Sequence, residues 1–89
     1  MLNGENFMIR QFKVNNQFTV QTKKASYFQS YNSVVVKVSK GKITLGADWN
    51  YSKTTTKYVG QFLGMNKKEI DTKIKNKEIK VLKENIKIV

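Results

Sequence analysis

Apolar and polar residues alternate along the first quarter of the chain, which is the pattern of a half-buried β-strand. One such segment covers residues 7–14 and the next covers residues 17–24. Asn15 and Asn16 lie between them, and asparagine suits a turn because it tolerates positive φ and can bond its own backbone. The two segments therefore predict a β-hairpin with one apolar face.

The alternation continues through the middle of the chain. Residues 25–32 combine three aromatic residues with other strand formers. A lysine-glycine-lysine turn at residues 40–42 precedes a short β-branched run at residues 43–45. The valines between these segments are in phase at Val34, Val36 and Val38. This pattern predicts a second hairpin with a regular buried face.

After Asp48 the hydrophobic period changes from two to about 3.6 residues, which indicates a helix. Ser52 is a favourable N-cap for this helix, and Gly64 is a favourable residue just past its end. The expected buried stripe consists of Tyr51, Thr55, Tyr58, Val59, Phe62 and Leu63. The lysines between these positions fall on the opposite, solvent-facing side.

A second helix is predicted at about residues 67–76. Asn66 and Glu69 have the spacing of a capping box, in which each side chain bonds the other residue's backbone amide. Met65 and Ile70 have the spacing of a hydrophobic staple across the same helix start. These paired signals place the beginning of the second helix closely.

The tail, residues 78–89, alternates in two short runs and is expected to form a strand or a hairpin. With the preceding elements this predicts an α+β fold. Two short helices cover one face of a small antiparallel sheet of three to five strands, and a strand-like tail follows. We expect a single domain over residues 1–89, with residues 1–6 as a flexible leader.

The chain contains neither cysteine nor histidine. Disulfides, Cys/His zinc sites and thiolate catalysis are therefore excluded, and the commonest general base is missing. Among the carboxylates only Asp48 draws interest, and an Asx turn or an anion at the helix start explains it more simply than catalysis. The sequence has no glycine-rich phosphate loop. We expect a non-enzymatic protein with no catalytic residue, metal or cofactor.

No apolar run approaches the roughly 18 residues of a membrane span. The N-terminal residues lack the basic and apolar regions of a signal peptide. The expectation is a cytoplasmic protein with no membrane partner.

Net charge is the most distinctive feature of the composition. The chain has 17 basic and 6 acidic residues, a net charge of +11, and all but one of the basic residues are lysine. A field of this sign attracts polyanions, of which nucleic acid is the usual one. The alternative is compositional, because lysine and asparagine are common in proteins of AT-rich genomes and their charge can be merely solvated. The charge predicts association with a polyanion but identifies no site.

The segment S-K-T-T-T-K, residues 52–57, offers a candidate anion site at the start of the first helix. Free backbone amides, hydroxyl groups and two ammonium groups converge there. The predicted contacts are Ser52, Lys53, Thr54 and Lys57, with Gln61 one turn further on the same face. The alternative is that Ser52 only caps the helix and the threonines only fill its first turn.

Lys23 and Lys24 complete the predicted nucleic-acid or anion-binding set. They precede Tyr27, Phe28 and Tyr31, and lysines beside aromatic rings are typical of proteins on which single-stranded bases stack. Adjacent residues of a strand face opposite ways, so at least one of Tyr27 and Phe28 is expected in the core.

Two segments of the chain have a recognisable motif. The first is F-Q-S-Y-N-S-V-V-V-K-V followed by G-K-I-T-L, at residues 28–45. The second is W-N-Y-S-K-T-T-T-K-Y-V-G-Q-F-L-G at residues 49–64, which is similar to the pattern W-[DN]-Y-S-x-T-T-x-K-Y-x-x-Q-F-L-G. Together they resemble a family of small bacteriophage and mobile-element proteins without assigned activity. Asn50 replaces the family's aspartate, so a carboxylate role there is not expected. The resemblance covers about residues 26–76.

The resemblance implies a phage or prophage accessory protein that acts inside a bacterial cell, and it implies no activity. Together with the charge it leads to one hypothesis: a phage-encoded, non-enzymatic protein that binds DNA or RNA through a lysine-rich face. The alternative is an inhibitor of a host or anti-phage defence system, of the anti-CRISPR type. Such an inhibitor binds a host protein or a ribonucleoprotein complex, and it can form a homodimer first.

Overall fold

The computed structural model describes residues 7–88. Within that range the strands are β1 (Phe7–Gln11), β2 (Gln17–Thr22), β3 (Ser26–Ser30), β4 (Ser33–Ser39), β5 (Lys42–Leu45) and β6 (Ile79–Val81). The helices are α1 (Lys53–Leu63) and α2 (Lys67–Lys75), both between β5 and β6. The expected flexible leader, residues 1–6, lies outside the described residues.

Short connections turn the first five strands into an antiparallel meander. The turns use positive φ at Asn16 (69°), Tyr31 (55°), Lys40 (53°) and Gly41 (76°). The predicted hairpins and their turns at Asn15-Asn16 and residues 40–42 are therefore confirmed. The first strand ends at Gln11, earlier than the predicted residue 14, because Lys13 adopts a φ of 71° and turns the chain.

The sheet is larger than the three to five strands that the pattern predicted. Its six strands lie in sequential order, and the additional edge strand is β6. β6 runs parallel to β5, with Ile79 opposite Ile43 and Val81 opposite Leu45. α1 and α2 form the long connection that a parallel pair needs. The α+β class is confirmed, and the tail is a strand only over Ile79–Val81.

Both helices begin where their capping residues predict, and α1 also ends where Gly64 predicts. Ser52 is the N-cap of α1, and Gly64 follows α1 in the left-handed region at φ 71°. The capping box at the start of α2 is complete, since the amide of Glu69 donates to Asn66 Oδ1 and the amide of Asn66 donates to Glu69 Oε1. Local side-chain to backbone bonds thus set the start of each helix, and a left-handed glycine ends α1.

One core lies between the sheet and the helices. Its buried members are Phe28, Val35, Val36, Leu45, Trp49, Val59, Ile70 and Ile79. Phe12 packs its ring edge against three other aromatic rings, with centroid distances of 5.5 Å to Phe28, 6.1 Å to Phe62 and 6.4 Å to Tyr58. Such edge-to-face pairs add to the stabilisation from apolar burial. The turn between β1 and β2 therefore packs against α1 through the ring of Phe12.

The C-terminal segment covers the opposite face of the sheet. Its backbone follows the end of the sheet, with the amide of Leu82 bonded to the carbonyl of Leu45 and the amide of Ile86 to that of Val34. The second core is formed by Val20, Ala25, Tyr27 and Ile86, with Val34, Leu82 and Ile88 against it. Because both faces are covered, Tyr27 and Phe28 are both buried although they point in opposite directions. The prediction of one covered face was incomplete.

Candidate functional site

The start of α1 is held by its capping serine. Ser52 Oγ accepts a hydrogen bond of 3.1 Å from the amide of Thr55, and the carbonyl of Ser52 accepts from both the amide and the hydroxyl of Thr56. The predicted capping role of Ser52 is confirmed. Its hydroxyl is therefore engaged in the helix cap.

A buried polar contact fixes this helix start against the sheet. Thr55 Oγ1 lies 2.9 Å from Ser30 Oγ, at the end of β3. Gln17 stands directly opposite Ser30 on β2, and its side chain is fully buried. Neither polar atom of the Gln17 amide has a hydrogen-bond partner among the described residues. A buried amide of this kind usually holds an ordered water.

Trp49 and Tyr51 have opposite surroundings although both precede the helix. Trp49 is buried in the core, and Lys67 Nζ from α2 lies 5.9 Å from the centroid of its ring. Tyr51 is 80% exposed, so its expected place in the buried stripe was wrong. Tyr51 lies before the N-cap, where the chain is not helical, and the helical period therefore does not apply to it. Of the other predicted positions, Thr55 and Val59 are buried and Tyr58, Phe62 and Leu63 are half-buried.

A shallow depression of about 500 Å³ opens beside the start of α1. Its lining comprises Asn50, Tyr51, Ser52, Lys53, Thr56, Lys57 and Lys67. We call this surface the basic depression. It brings together two predicted lysines from α1 and one lysine from α2 that the sequence reasoning did not select. Only the packing of the two helices makes Lys67 a neighbour of the other two, and no local sequence signal marks it.

The charge at the start of α1 is opposite to what the helix dipole favours. The first turn contains no acidic residue and begins with Lys53, although the amino end of a helix is positive. α2 follows the usual rule, with Glu69 in its first turn and Lys73 and Lys75 in its last. An anion bound in the basic depression would relieve this unfavourable arrangement.

The lysines of the basic depression are differently paired. Lys67 Nζ lies 2.8 Å from Asp71 Oδ2, in an exposed contact that contributes little to stability. Lys53 and Lys57 are exposed and have no carboxylate within 4 Å among residues 7–88. Lys57 Nζ lies 5.3 Å from the centroid of the Tyr58 ring, which directs it along the helix surface. Two ammonium groups therefore remain available for an anion.

The other predicted site residues lie outside the basic depression. Thr54 and Gln61 are exposed on α1, and Gln61 is one turn beyond Lys57. Lys23 and Lys24 are in the turn between β2 and β3, at the end of the sheet away from Ser30. The five residues of β3 separate the two groups by roughly 17 Å of strand. The structure does not bring Lys23 and Lys24 together with the lysines of α1.

A second cavity, of about 350 Å³, adjoins the basic depression and shares Tyr51 with it. Its lining also includes Tyr31 and Asn32 from the turn between β3 and β4, together with Asp48. We call it the tyrosine cavity. Asp48 does not cap α1 but is clamped to the tail: Asn85 Nδ2 donates to Asp48 Oδ2 at 2.8 Å, and the amide of Asp48 donates to Asn85 Oδ1 at 2.9 Å.

The described part of the chain has no metal-binding cluster and no membrane-spanning helix. Residues 7–88 contain no group of three or more Asp and Glu side chains placed to hold a metal ion. In the same range, neither helix is long and apolar enough to cross a membrane. The basic depression and the tyrosine cavity both lie at the start of α1.

Comparison with known proteins gives a family and no activity. Neither the curated proteins nor the solved structures gave a match to this chain. The model of a family of unknown function (DUF8033) matches residues 2–80, nearly the whole chain, and the protein belongs to that family.

Proposed function

We propose that the protein is a non-enzymatic nucleic-acid-binding protein whose phosphate contacts lie in the basic depression. The observation that carries this proposal is the convergence of Lys53, Lys57 and Lys67, from two helices, around one depression with an exposed tyrosine beside it. Ammonium groups bind phosphates as point charges, and the start of a helix adds partial positive charge. Among residues 7–88 no carboxylate lines the depression, and of its three lysines only Lys67 is paired, with Asp71 outside the lining.

The rest of the surface supports the same proposal. Only two of the 17 basic side chains, Lys67 and Lys73, form an ion pair within residues 7–88. The remaining positive charge steers any polyanion towards the protein. Binding is then sequence-tolerant and strongly dependent on salt, because each neutralised phosphate releases counterions.

The biological setting belongs to the same proposal. The motif at residues 49–64 is similar to that of bacteriophage and mobile-element proteins, which supports a phage-encoded accessory protein in the cytoplasm of an infected bacterium. Nucleic acid is abundant in that compartment, so a protein with weak affinity for it would still bind it.

The test compares two double variants that remove the same charge at opposite ends of the sheet. Lys53→Ala with Lys57→Ala alters the basic depression, and Lys23→Ala with Lys24→Ala is the matched control. Binding to a labelled oligonucleotide is followed by fluorescence anisotropy over a series of salt concentrations. The first variant should weaken binding and lower the log-log salt slope by about 1.4 for a single strand, while the control changes both less. Equal losses would mean that only net charge matters, and no binding in low salt would end the proposal.

A second candidate function, binding to a protein, is favoured by the outer edge of β1. β1 pairs only with β2 within the described sheet, and Met8 and Ile9 on it are 52% and 55% exposed. An unprotected edge strand with apolar side chains can accept a strand from another chain. This edge would suit an inhibitor of a host or anti-phage defence complex, of the anti-CRISPR type, or the pairing of two copies of the chain.

A capture experiment with nuclease-treated bacterial lysate distinguishes protein binding from nucleic-acid binding. A protein partner that binds the edge should be retained after nuclease treatment, lost with Ile9→Lys, and unaffected by the Lys53 and Lys57 substitutions. If all partners vanish with the nuclease, nucleic-acid binding stands alone. Light scattering of the purified protein reports pairing of two copies directly.

A further inference from the structure

The tyrosine cavity has an unusual combination of exposed aromatic rings and small polar groups. Tyr31 is 51% exposed and Tyr51 is 80% exposed, and both line the cavity. Large aromatic side chains in a small domain are ordinarily buried, because their burial contributes much of the core. Packing within the described structure therefore does not account for either ring.

The size of the cavity fits a small planar ligand. Its volume of about 350 Å³ is near the lower end of ligand pockets, which span roughly 300–1,000 Å³. The buried residue Val35 lines the cavity. Three residues with hydroxyl groups, Ser30, Ser33 and Thr55, also line it. Apolar and aromatic walls with a few polar groups are what a heterocyclic base requires.

Asp48 determines which ligand groups the cavity favours. Among the residues that line the cavity, Asp48 carries the only charge, and it is negative in a chain of net charge +11. A carboxylate repels phosphate but accepts hydrogen bonds from N–H groups. Asn85 occupies Oδ2 and holds the carboxyl group in place, and further lone pairs remain on both oxygens. The ligand of this cavity should therefore present donors.

The position of the cavity connects it with the basic depression. Tyr51 lines both, so a nucleic-acid strand whose phosphates contact the lysines has room to place a base in the cavity next to them. Single-strand binders combine such a basic groove with aromatic rings on which bases stack. A base within a duplex cannot reach a pocket of this kind without leaving the stack.

We propose that the tyrosine cavity binds one unpaired guanine of a single-stranded nucleic acid, with the base stacked on Tyr51 and its N1–H and N2 amino group directed to Asp48. Guanine is chosen because its Watson–Crick edge presents two adjacent donors to one carboxylate. This inference rests on the proposed nucleic-acid binding and adds to it a preference for single strands and for one base. Tyr31, from the turn between β3 and β4, supplies the second aromatic ring of the lining.

The test uses three oligothymidines of about 12 nucleotides, with a central guanine, a central hypoxanthine or no substitution. Hypoxanthine keeps N1–H and lacks the 2-amino group, so it isolates one hydrogen bond. Wild-type protein should bind the guanine oligonucleotide about ten-fold more tightly than the hypoxanthine one, and the same strand in a duplex more weakly. Asp48→Asn should make the affinities for the guanine and hypoxanthine strands equal, whereas Glu78→Gln, which removes an exposed negative charge outside the cavity, should leave the preference intact.

Stacking is tested separately. Tyr51→Ala should weaken binding of the guanine strand about ten-fold, and Tyr51→Phe should keep it, because the ring and not the hydroxyl stacks. Thermal unfolding of each variant checks that the fold is unchanged. If wild-type protein binds all three single strands equally while the Lys53 and Lys57 substitutions still weaken binding, the guanine site is overturned and the proposed function stands. If no oligonucleotide is bound in low salt, both are overturned.

Discussion

Ser30 Oγ and Thr55 Oγ1 lie 2.9 Å apart, and each residue is only 3% exposed. The two residues are 25 positions apart in the chain, so this contact exists only in the folded protein. It joins the end of β3 to the first turn of α1, and Ser52 Oγ lies 3.2 Å from the same threonine hydroxyl. Ser30 and Thr55 line the tyrosine cavity and Ser52 lines the basic depression, so this junction lies between the two surfaces.

Replacing both members of the pair should cost less stability than the two single replacements added together. Thr55→Val leaves the buried Ser30 hydroxyl without its partner, and we expect a loss of about 1–3 kcal/mol in the free energy of unfolding. Ser30→Ala combined with Thr55→Val should cost clearly less than the sum of the single variants. Urea unfolding followed by circular dichroism gives the four values of the cycle. Additive losses would show that the two hydroxyl groups do not interact.

An acidic residue in the first turn of α1 should stabilise the protein and weaken the proposed binding of nucleic acid. Thr54→Glu places a negative charge at the positive end of the helix dipole, where it contributes about 0.3–1 kcal/mol. The neutral control is Thr54→Gln, which has similar size and helix propensity. The difference between the two variants in thermal unfolding measures the charge effect, and the same pair in the anisotropy titration measures its effect on nucleic-acid binding. Tighter binding by the glutamate variant would contradict a phosphate site there.

Phe62→Ala should cost less than the sequence pattern predicts. Full burial of Phe62 would imply a loss of about 3–5 kcal/mol. The side chain is only half-buried, although its ring stacks on Phe28 with a centroid distance of 5.6 Å. We therefore expect about 2–3 kcal/mol by chemical denaturation. Tyr51→Ala is the control and should remain within about 0.5 kcal/mol of the wild type, because that side chain is largely exposed.

Asn85→Ala should loosen the C-terminal segment. The substitution removes both hydrogen bonds to Asp48, one of them to a charged carboxylate, and should cost about 1–3 kcal/mol. Hydrogen exchange should accelerate at the amides of Ala47 and Ile86, which bond between the tail and the sheet end. Lys87→Ala, at an exposed tail position, should leave both measurements unchanged. Unaltered exchange in the asparagine variant would show that apolar contacts alone hold the tail.

Much of the fold could be predicted because its signals are local. The N-cap at Ser52, the left-handed residue Gly64 and the capping box of Asn66 and Glu69 each act within four residues of where they stand. Strand alternation and turn residues act over similarly short distances. These local features do not depend on how the helices and strands pack together.

The candidate site was predicted only in part, since neighbours in space are not neighbours in the chain. Lys53 and Lys57 were selected from one helix, whereas Lys67 joins them because α2 packs beside α1. Lys23 and Lys24 were selected for the same chemistry and lie at the other end of the sheet. The positive charge of the sequence does not indicate which lysines lie close together in the folded protein.

The sequence by itself determined the class of the fold, the hairpins, both helices and the excess of positive charge, because propensity, capping and periodicity depend on adjacent residues. The tertiary structure decided the parallel pairing of β6, the burial of Trp49 and the exposure of Tyr51. It also decided that the tail covers the second face of the sheet. Burial is a property of the surfaces that meet, and the segment that covers Tyr27 is more than fifty residues away from it in the chain.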